Sequence, residues 1–298
     1  MGFFENYLGE FWALMTAITW SSAVILFKKS GETVHPLGLS LFRTVLATAL
    51  FIPTVWIMGH DVFHDASSTD YSIILLSGLL GIGLADVLYL QCLNTLGASL
   101  TAIVDCLYSP SVIGLSMIYL GESLNFMQMV GVLLIISAVL TATGMRKAHK
   151  LDMRTILLGV LWGGLAMFLT AVSIVIVKPV LDQQSLVWVN LWRTMAGMVF
   201  LSAVLSLHPR RMSIARSVIA ADRRVYTWAG SFLGTYVAVM MWLAGLKYTQ
   251  ASVAAALNQS SNIFIFVFAG LFLKEQLTPL KTVGIVLGVG GVLLVTLY

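Results

Sequence analysis

The sequence predicts an all-α membrane protein of ten transmembrane helices, arranged as two inverted five-helix repeats. Three observations predict it. Hydrophobic residues make up 59% of the chain and charged residues only 10%, against about 25% charged in typical soluble domains. Apolar segments recur along the whole length, each long enough for a hydrocarbon core of about 30 Å. Residues spread along the first half recur in the second at a nearly constant offset.

The segments fall near 11–28, 37–58, 72–92, 97–119, 126–145, 155–177, 185–207, 226–247, 250–273 and 279–297. Span 1 ends at Lys28 and Lys29. It is preceded by Glu5 and Glu10 rather than a basic n-region, so the start does not read as a cleavable signal peptide. Span 2 carries Arg43 inside an apolar run, "LGLSLFRTVLATAL". Span 3 carries Asp86 and span 4 Asp105. Cys92 and Cys106 lie inside spans 3 and 4 and read as small packing residues, too few for a disulfide framework or a metal site. The gaps 59–71 and 208–225 are too short for a soluble domain. His60, Asp61, His64 and Asp65 in the first gap read as a solvated loop. The net charge of +4 and a sequence pI near 9.1 are explained by basic loops, without nucleic acid.

The repeat is explicit. "LFRTVLATALF" at 41–51 returns as "LWRTMAGMVFL" at 191–201, so Arg43 and Thr44 match Arg193 and Thr194 at an offset of 150, as Lys28 matches Lys178. Later the offset is 153. Gly81 matches Gly234, Ala98-Ser99 matches Ala251-Ser252, "LGESL" (120–124) matches "LKEQL" (273–277), and Gly131 matches Gly284. The division is therefore 1–148 and 149–298. An odd number of spans per copy inverts the second copy in the membrane. That architecture is characteristic of secondary transporters with a midplane site between the repeats.

In copy one, "WSSA" and "KK" lead to "LFRT", and "ASLTAI", "SP", "LGESL" and "GVLLI" close it. With the repeat, this combination resembles the EamA-type branch of the drug/metabolite transporter superfamily across essentially the whole chain. The resemblance implies a permease or exporter of small metabolites such as amino acids, working by alternating access. It implies no cofactor, an inner-membrane location in a bacterial or archaeal cell, and a monomer or homodimer whose partners are a small-molecule substrate and membrane lipids. Two features depart from the family. Pro110 aligns with Ile263, and the loop charges point the other way. Lys28, Lys29, Arg146, Lys147, Lys150, Arg154, Arg210, Arg211, Arg216, Arg223, Arg224, Lys274 and Lys281 share one side, against Lys178 and Lys247 on the other. The positive-inside rule then puts both termini outside, whereas the resemblance implies cytoplasmic termini.

Ionisable residues at membrane depth are costly and are usually functional or paired. At 1.5 Å per residue, Arg43, Asp86 and Asp105 lie in one layer, roughly 9–12 Å from the side bearing the span 1–2 loop. Arg193 and Asn258 form the mirror layer, and Val239 replaces Asp86 in copy two. Two readings stand. Asp86 or Asp105 takes and releases a proton or holds a cationic group while Arg43 binds a carboxylate or sets the neighbouring pKa, or a static Arg–Asp pair neutralises itself and fixes helix orientation. Small residues share a helix face with Asp105 (Ala98, Ala102, Ser109), as Ala251 and Ala255 do with Asn258 and Asn262. Trp20, Tyr89, Tyr108, Tyr236 and Trp242 are candidate walls for a small organic ligand. The candidate site is thus Asp105, Asp86, Arg43, Arg193, Asn258, Asn262, Trp20, Tyr89, Tyr108 and Tyr236. Ser77–Gly81–Ala85, Gly230–Gly234–Ala238 and Gly284–Gly288 read as close-packing stripes, the last also as a homodimer contact. Glu122 and Glu275 read as caps for the helices that follow them. Alternatives to a metabolite carrier are a lipid-headgroup translocase and a non-transporting scaffold. No nucleophile–base pair or metal-ligand spacing points to an enzyme.

Overall fold

The structure, a computed structural model, describes residues 8–63, 66–120, 125–143, 152–181, 183–219, 224–248, 257–258 and 260–297. Among these the regular structure is helical: α1 (Leu8–Ser30), α2 (Pro36–Ile57), α3 (Ser68–Leu96), α4 (Ala98–Asp105), α5 (Tyr108–Leu120), α6 (Phe126–Thr143), α7 (Met153–Leu181), α8 (Leu186–Leu207), α9 (Arg211–Ile219), α10 (Arg224–Tyr248), α11 (Ser261–Leu273) and α12 (Pro279–Leu297). Six helices, α1, α2, α3, α7, α8 and most of α10, are long and apolar enough to cross a membrane.

Helix starts follow local chemistry. His35 caps α2, its side chain accepting the Leu37 N–H, with Pro36 in the first turn where no donor is needed. Ser67 and Asp70 form a reciprocal capping box on α3. Gly97 ends α3 at φ 83°, ψ 170°, a conformation open to glycine.

Two elements differ from the sequence reading. Span 4 is not one helix. It breaks at Cys106–Leu107 into α4 and α5, because Pro110 lacks an N–H and its ring crowds the carbonyl of Cys106. In copy two, α11 begins at Ser261, the position that matches Tyr108, although Ile263 stands where Pro110 does. There Ser260 donates through its hydroxyl to the Leu257 carbonyl at 2.5 Å and its N–H also bonds Leu257 O, offering the backbone an alternative to a continuous helix. Second, the 208–225 gap holds a helix, α9, whose Ile214 is buried against Leu37 and Leu201. Of the two readings of Gly284–Gly288, the close-packing one fits Gly288, whose region of α12 packs inside the molecule. A Cβ on Gly288 would lie 2.9 Å from Cys106 Sγ, and one on Gly291 would lie 2.6 Å from the Gly131 carbonyl of α6. Glu122, Ala251, Ser252, His64 and Asp65 lie outside the described residues.

Both α3 and α10 contain a π-helical stretch, Leu79–Ala85 and Leu233–Val237, around the matched glycines Gly81 and Gly234. Such stretches recur at functional sites. Gly81 lies tightly against Ser173 of α7 and Gly234 against Ala23 and Phe27 of α1. Ser173 and Ala23 are themselves a matched pair. The principal helix contacts share this exchange: α10 packs on α1 as α3 packs on α7, and α2 pairs with α8 and α6 with α12. The α3–α7 crossing, which joins the two copies, is stitched by two serines, Ser77 Oγ to Ser173 O at 2.9 Å and Ser173 Oγ to Ser77 O at 2.8 Å.

One end of the bundle gathers the ends of α1 and α3 and the starts of α2, α4 and α10. Lys28 Nζ donates to Asn94 O at 3.0 Å, Ser30 and Thr227 share a 2.6 Å hydrogen bond, and His35 N–H donates to Ser217 Oγ at 3.3 Å. With α9 and Lys274 it forms a basic end. At the far end, the indoles of Trp188 and Trp192 both donate to the Val62 carbonyl, at 2.9 and 3.0 Å.

At Gly78 an added Cβ would run into the Arg193 backbone of α8, whereas Gly290 has open space. Gly78→Ala should therefore lower the melting temperature of the purified protein in detergent by the equivalent of about 1–3 kcal/mol, while Gly290→Ala should leave it unchanged or slightly higher.

Candidate functional site

A cavity of about 470 Å³ lies at the centre of the bundle, walled by both copies. Eight of the ten predicted residues line it: Trp20 of α1, Arg43 of α2, Asp86 and Tyr89 of α3, Asp105 at the end of α4, Tyr108 at the start of α5, Arg193 of α8, and Asn258. Trp242, also anticipated, lines it as well. Asn262 and Tyr236 are off the wall. Asn262 is fully buried with its amide on Cys106 Sγ at 3.5 Å. Tyr236 shares a 2.8 Å hydrogen bond with Thr54 and packs against Phe51 and Phe232.

The wall keeps the repeat. At offsets of 150 and 153, Trp20 faces the cavity as Thr170 does, Arg43 as Arg193, Thr44 as Thr194, Gly81 as Gly234, Asp86 as Val239, Tyr89 as Trp242, Asp105 as Asn258, and Tyr108 as Ser261. The same arithmetic locates polar wall residues that periodicity missed. Thr170 is the counterpart of Trp20, and Asn190 is the counterpart of Ser40.

Arg43 pairs with Asp86, not Asp105. Nη1 lies 3.0 Å from Oδ1, with the two side chains 5% and 14% exposed. Ser40 Oγ donates to the other carboxylate oxygen of Asp86. The guanidinium lies over the Phe27 ring at 4.3 Å and the Trp20 ring at 5.8 Å. Those faces are attractive to a cation when water is absent.

Arg193 has no carboxylate beside it among the described residues. Nη2 donates to Ser173 Oγ at 3.0 Å and Nη1 to Asn190 Oδ1 at 3.3 Å, while Nε is buried without a partner. Its charge faces the cavity uncompensated by an acid. Asp105 is the converse. No described side chain donates to its carboxylate, and it stands at the C-terminal end of α4, where the helix dipole disfavours an anion. The Asn258 side-chain oxygen is likewise buried without a hydrogen bond. The cavity thus presents one neutralised ion pair, one cation and one carboxylate, framed by aromatic rings. Among the described residues no group of His, Cys, Asp and Glu could hold a metal.

Such a central polar cavity in an apolar helical bundle is what a membrane transporter requires. The model of the EamA-like transporter family matches twice, over residues 7–144 and 157–297, and the chain belongs to that family. It is a multi-pass membrane protein of the drug/metabolite transporter superfamily. A protein of Archaeoglobus fulgidus, called an uncharacterized transporter, is 20% identical over 285 residues, covering 96% of each chain. A protein of Streptantibioticus cattleyicolor, called a probable terminal-alkyne amino-acid exporter, is 27% identical, covering 95% of this chain and 92% of its own. A crystal structure of a protein 16% identical superposes with a TM-score of 0.67, covering 96% of this chain and 95% of its own.

Removing one partner of a buried ion pair costs about 3–5 kcal/mol, because it strands the other charge. Arg43→Leu should therefore sharply lower thermal stability, and Arg43→Leu with Asp86→Leu should recover much of the loss. A double-mutant cycle of Arg43 with Asp105 should be additive. Arg193→Leu, which strands no acid, should cost less than Arg43→Leu. Melting curves of the purified variants decide each comparison.

Proposed function

We propose that this chain is a secondary-active carrier that moves a small metabolite of the amino-acid class across the membrane by alternating access, with proton coupling or exchange. The observation that carries the reading is the charge inventory of the cavity. Arg43 and Asp86 cancel, leaving Arg193 to receive a substrate carboxylate and Asp105 to receive an ammonium group or a proton. A volume of about 470 Å³ falls in the range of small-molecule sites, and the aromatic walls give a non-polar side chain something to pack on. The exporter name carried by the Streptantibioticus relative points to the same class.

The mechanism rests on ten spans in two inverted copies. Matched residues at offsets of 150 and 153 support it, as do the two family-model matches and the exchange of α1–α10 contacts with α3–α7 contacts. In such an arrangement the two copies trade conformations, and the cavity faces each side in turn. The positive-inside rule would set the basic end in the cytoplasm. In copy two Val239 replaces Asp86 and Asn258 replaces Asp105, which confines proton-carrying ability to copy one.

The test is flux in proteoliposomes, with amino acids as a panel and an imposed pH gradient. Arg193→Gln should raise KM for a carboxylate substrate about ten-fold or more, as expected for a lost charge-assisted contact, with folding unaltered. Asp105→Asn should abolish gradient-driven accumulation while leaving counterflow exchange. Wild-type flux unaltered in both variants would refute the reading.

A further inference from the structure

The cavity lies nearer the far end than the basic end. Its wall comes no nearer that end than Arg43 and Asp105, each seven residues into its helix, whereas Asn190 lies only four residues into α8 from the far end. Beyond Asp105, toward the basic end, stands a buried polar cluster that belongs to neither the cavity nor a single repeat. Lys274 ends α11 in the left-handed conformation, φ 53°. Glu275 follows it, and its carboxylate accepts the Ala98 N–H at 2.8 Å and the Ser99 N–H at 3.2 Å, the first two amides of α4. The Ser99 hydroxyl also donates to it. Lys281 of α12, fully buried, donates from Nζ to Ser99 Oγ at 2.8 Å and lies 3.8 Å from the Glu275 carboxylate. A Cβ on Gly97 would lie 2.8 Å from Glu275 Oε1, so glycine there admits the carboxylate to the helix start. The sequence reading placed Glu275 as a cap for its own next helix. It caps a helix of the other repeat instead.

We infer that Glu275, Ser99 and Lys281 form the tie that holds the transporter shut at its basic end, and that it breaks when the cavity opens there. Its members come from α4 of copy one and from the α11–α12 turn and α12 of copy two, so separating the copies at this end pulls them apart. The tie is strong in place, because a carboxylate on two helix-start amides is a charge-assisted contact and Lys281 supplies the compensating charge. It is also reversible. Opening to water would hydrate the Glu275 and Lys281 side chains together, so no lone charge is stranded in the apolar interior. Because α4 is only eight residues long, the tie at its first turn also sets the height of Asp105 at its last.

The inference rests on the alternating-access reading, yet its test needs no substrate. Spin labels on Thr33→Cys of the α1–α2 turn in copy one and Gln276→Cys of the α11–α12 turn in copy two, both exposed at the basic end, report its opening by pulsed dipolar distances in nanodiscs. The wild type should show one dominant short population. Glu275→Gln, Lys281→Met and Ser99→Ala should each add a longer one, raising the open-to-closed ratio roughly ten-fold for the charge-removing changes, the worth of a hydrogen bond to a charged group, and less for Ser99→Ala. Ser99→Ala removes a single hydroxyl and remains informative if the charge variants lose the fold. Distance distributions identical to wild type in the folded variants would overturn the tie. A lengthened distance in a protein without flux in the liposome assay would keep the tie and reject the carrier.

Discussion

A guanidinium placed among apolar helices must bring its own counter-charge, and the arrangement of the first copy follows from meeting that demand. Arg43 on α2 and Asp86 on α3 settle each other at 3.0 Å. Doing so fixes how α2 and α3 face one another, puts Ser40 against the carboxylate, and stacks the guanidinium on Phe27 of α1. Three helices are thus registered by one contact, and the cavity opens on the inner side of it. In the second copy Arg193 has no such acid. Its donors go to Ser173 and Asn190, which orient it without neutralising it. The two copies differ in whether the arginine meets a carboxylate or only neutral donors and acceptors.

The sequence disclosed the class and much of the cavity because the signals for both are long-range and redundant. Lipid demands apolar spans, and the repeat marks each wall position twice. Arg43, Asp86, Asp105 and Arg193 stood out because charge at that depth is costly. Thr170 and Asn190 did not, because threonine and asparagine carry no comparable cost. Only the offset of 150 from Trp20 would have found Thr170, whereas Ser40, the counterpart of Asn190, is itself off the wall. Tyr236 was misjudged for the opposite reason: an aromatic residue is as much at home bonded to Thr54 and packed on Phe51 as on a ligand wall. The break between α4 and α5 was legible in Pro110, but its twin before α11 rests on backbone competition from Ser260, which composition conceals. The short helix α9 was missed because its basic, serine-containing sequence reads as loop until Ile214 finds Leu37 and Leu201.

The copies keep Arg43, Thr44 and Gly81 on the wall as Arg193, Thr194 and Gly234, and differ in chemistry at the other matched wall positions. Gly81 and Gly234 are both retained where helices cross, since any side chain there would collide with the neighbour. At the matched positions that face the cavity, aspartate has become valine or asparagine and tyrosine has become tryptophan or serine. Packing positions thus preserve the exchange of halves, while the cavity is polarised, acidic toward the basic end and cationic toward the far one.

The cap that Glu275 places on α4 also sets an order of assembly. Chains emerge from the ribosome N-terminus first, so α4 enters the bilayer long before residue 275 exists. The Arg43–Asp86 pair can form as soon as α3 follows α2, but the first amides of α4 wait for nearly the whole polypeptide. Until then the short helix carrying Asp105 lacks the cap at its start, and the first half is unfinished however completely it has been inserted. The last two helices are in this sense a fastener for the first half. A truncation before Glu275 leaves the membrane machinery holding a molecule whose cavity has all but its final closure, a natural point for quality control to act.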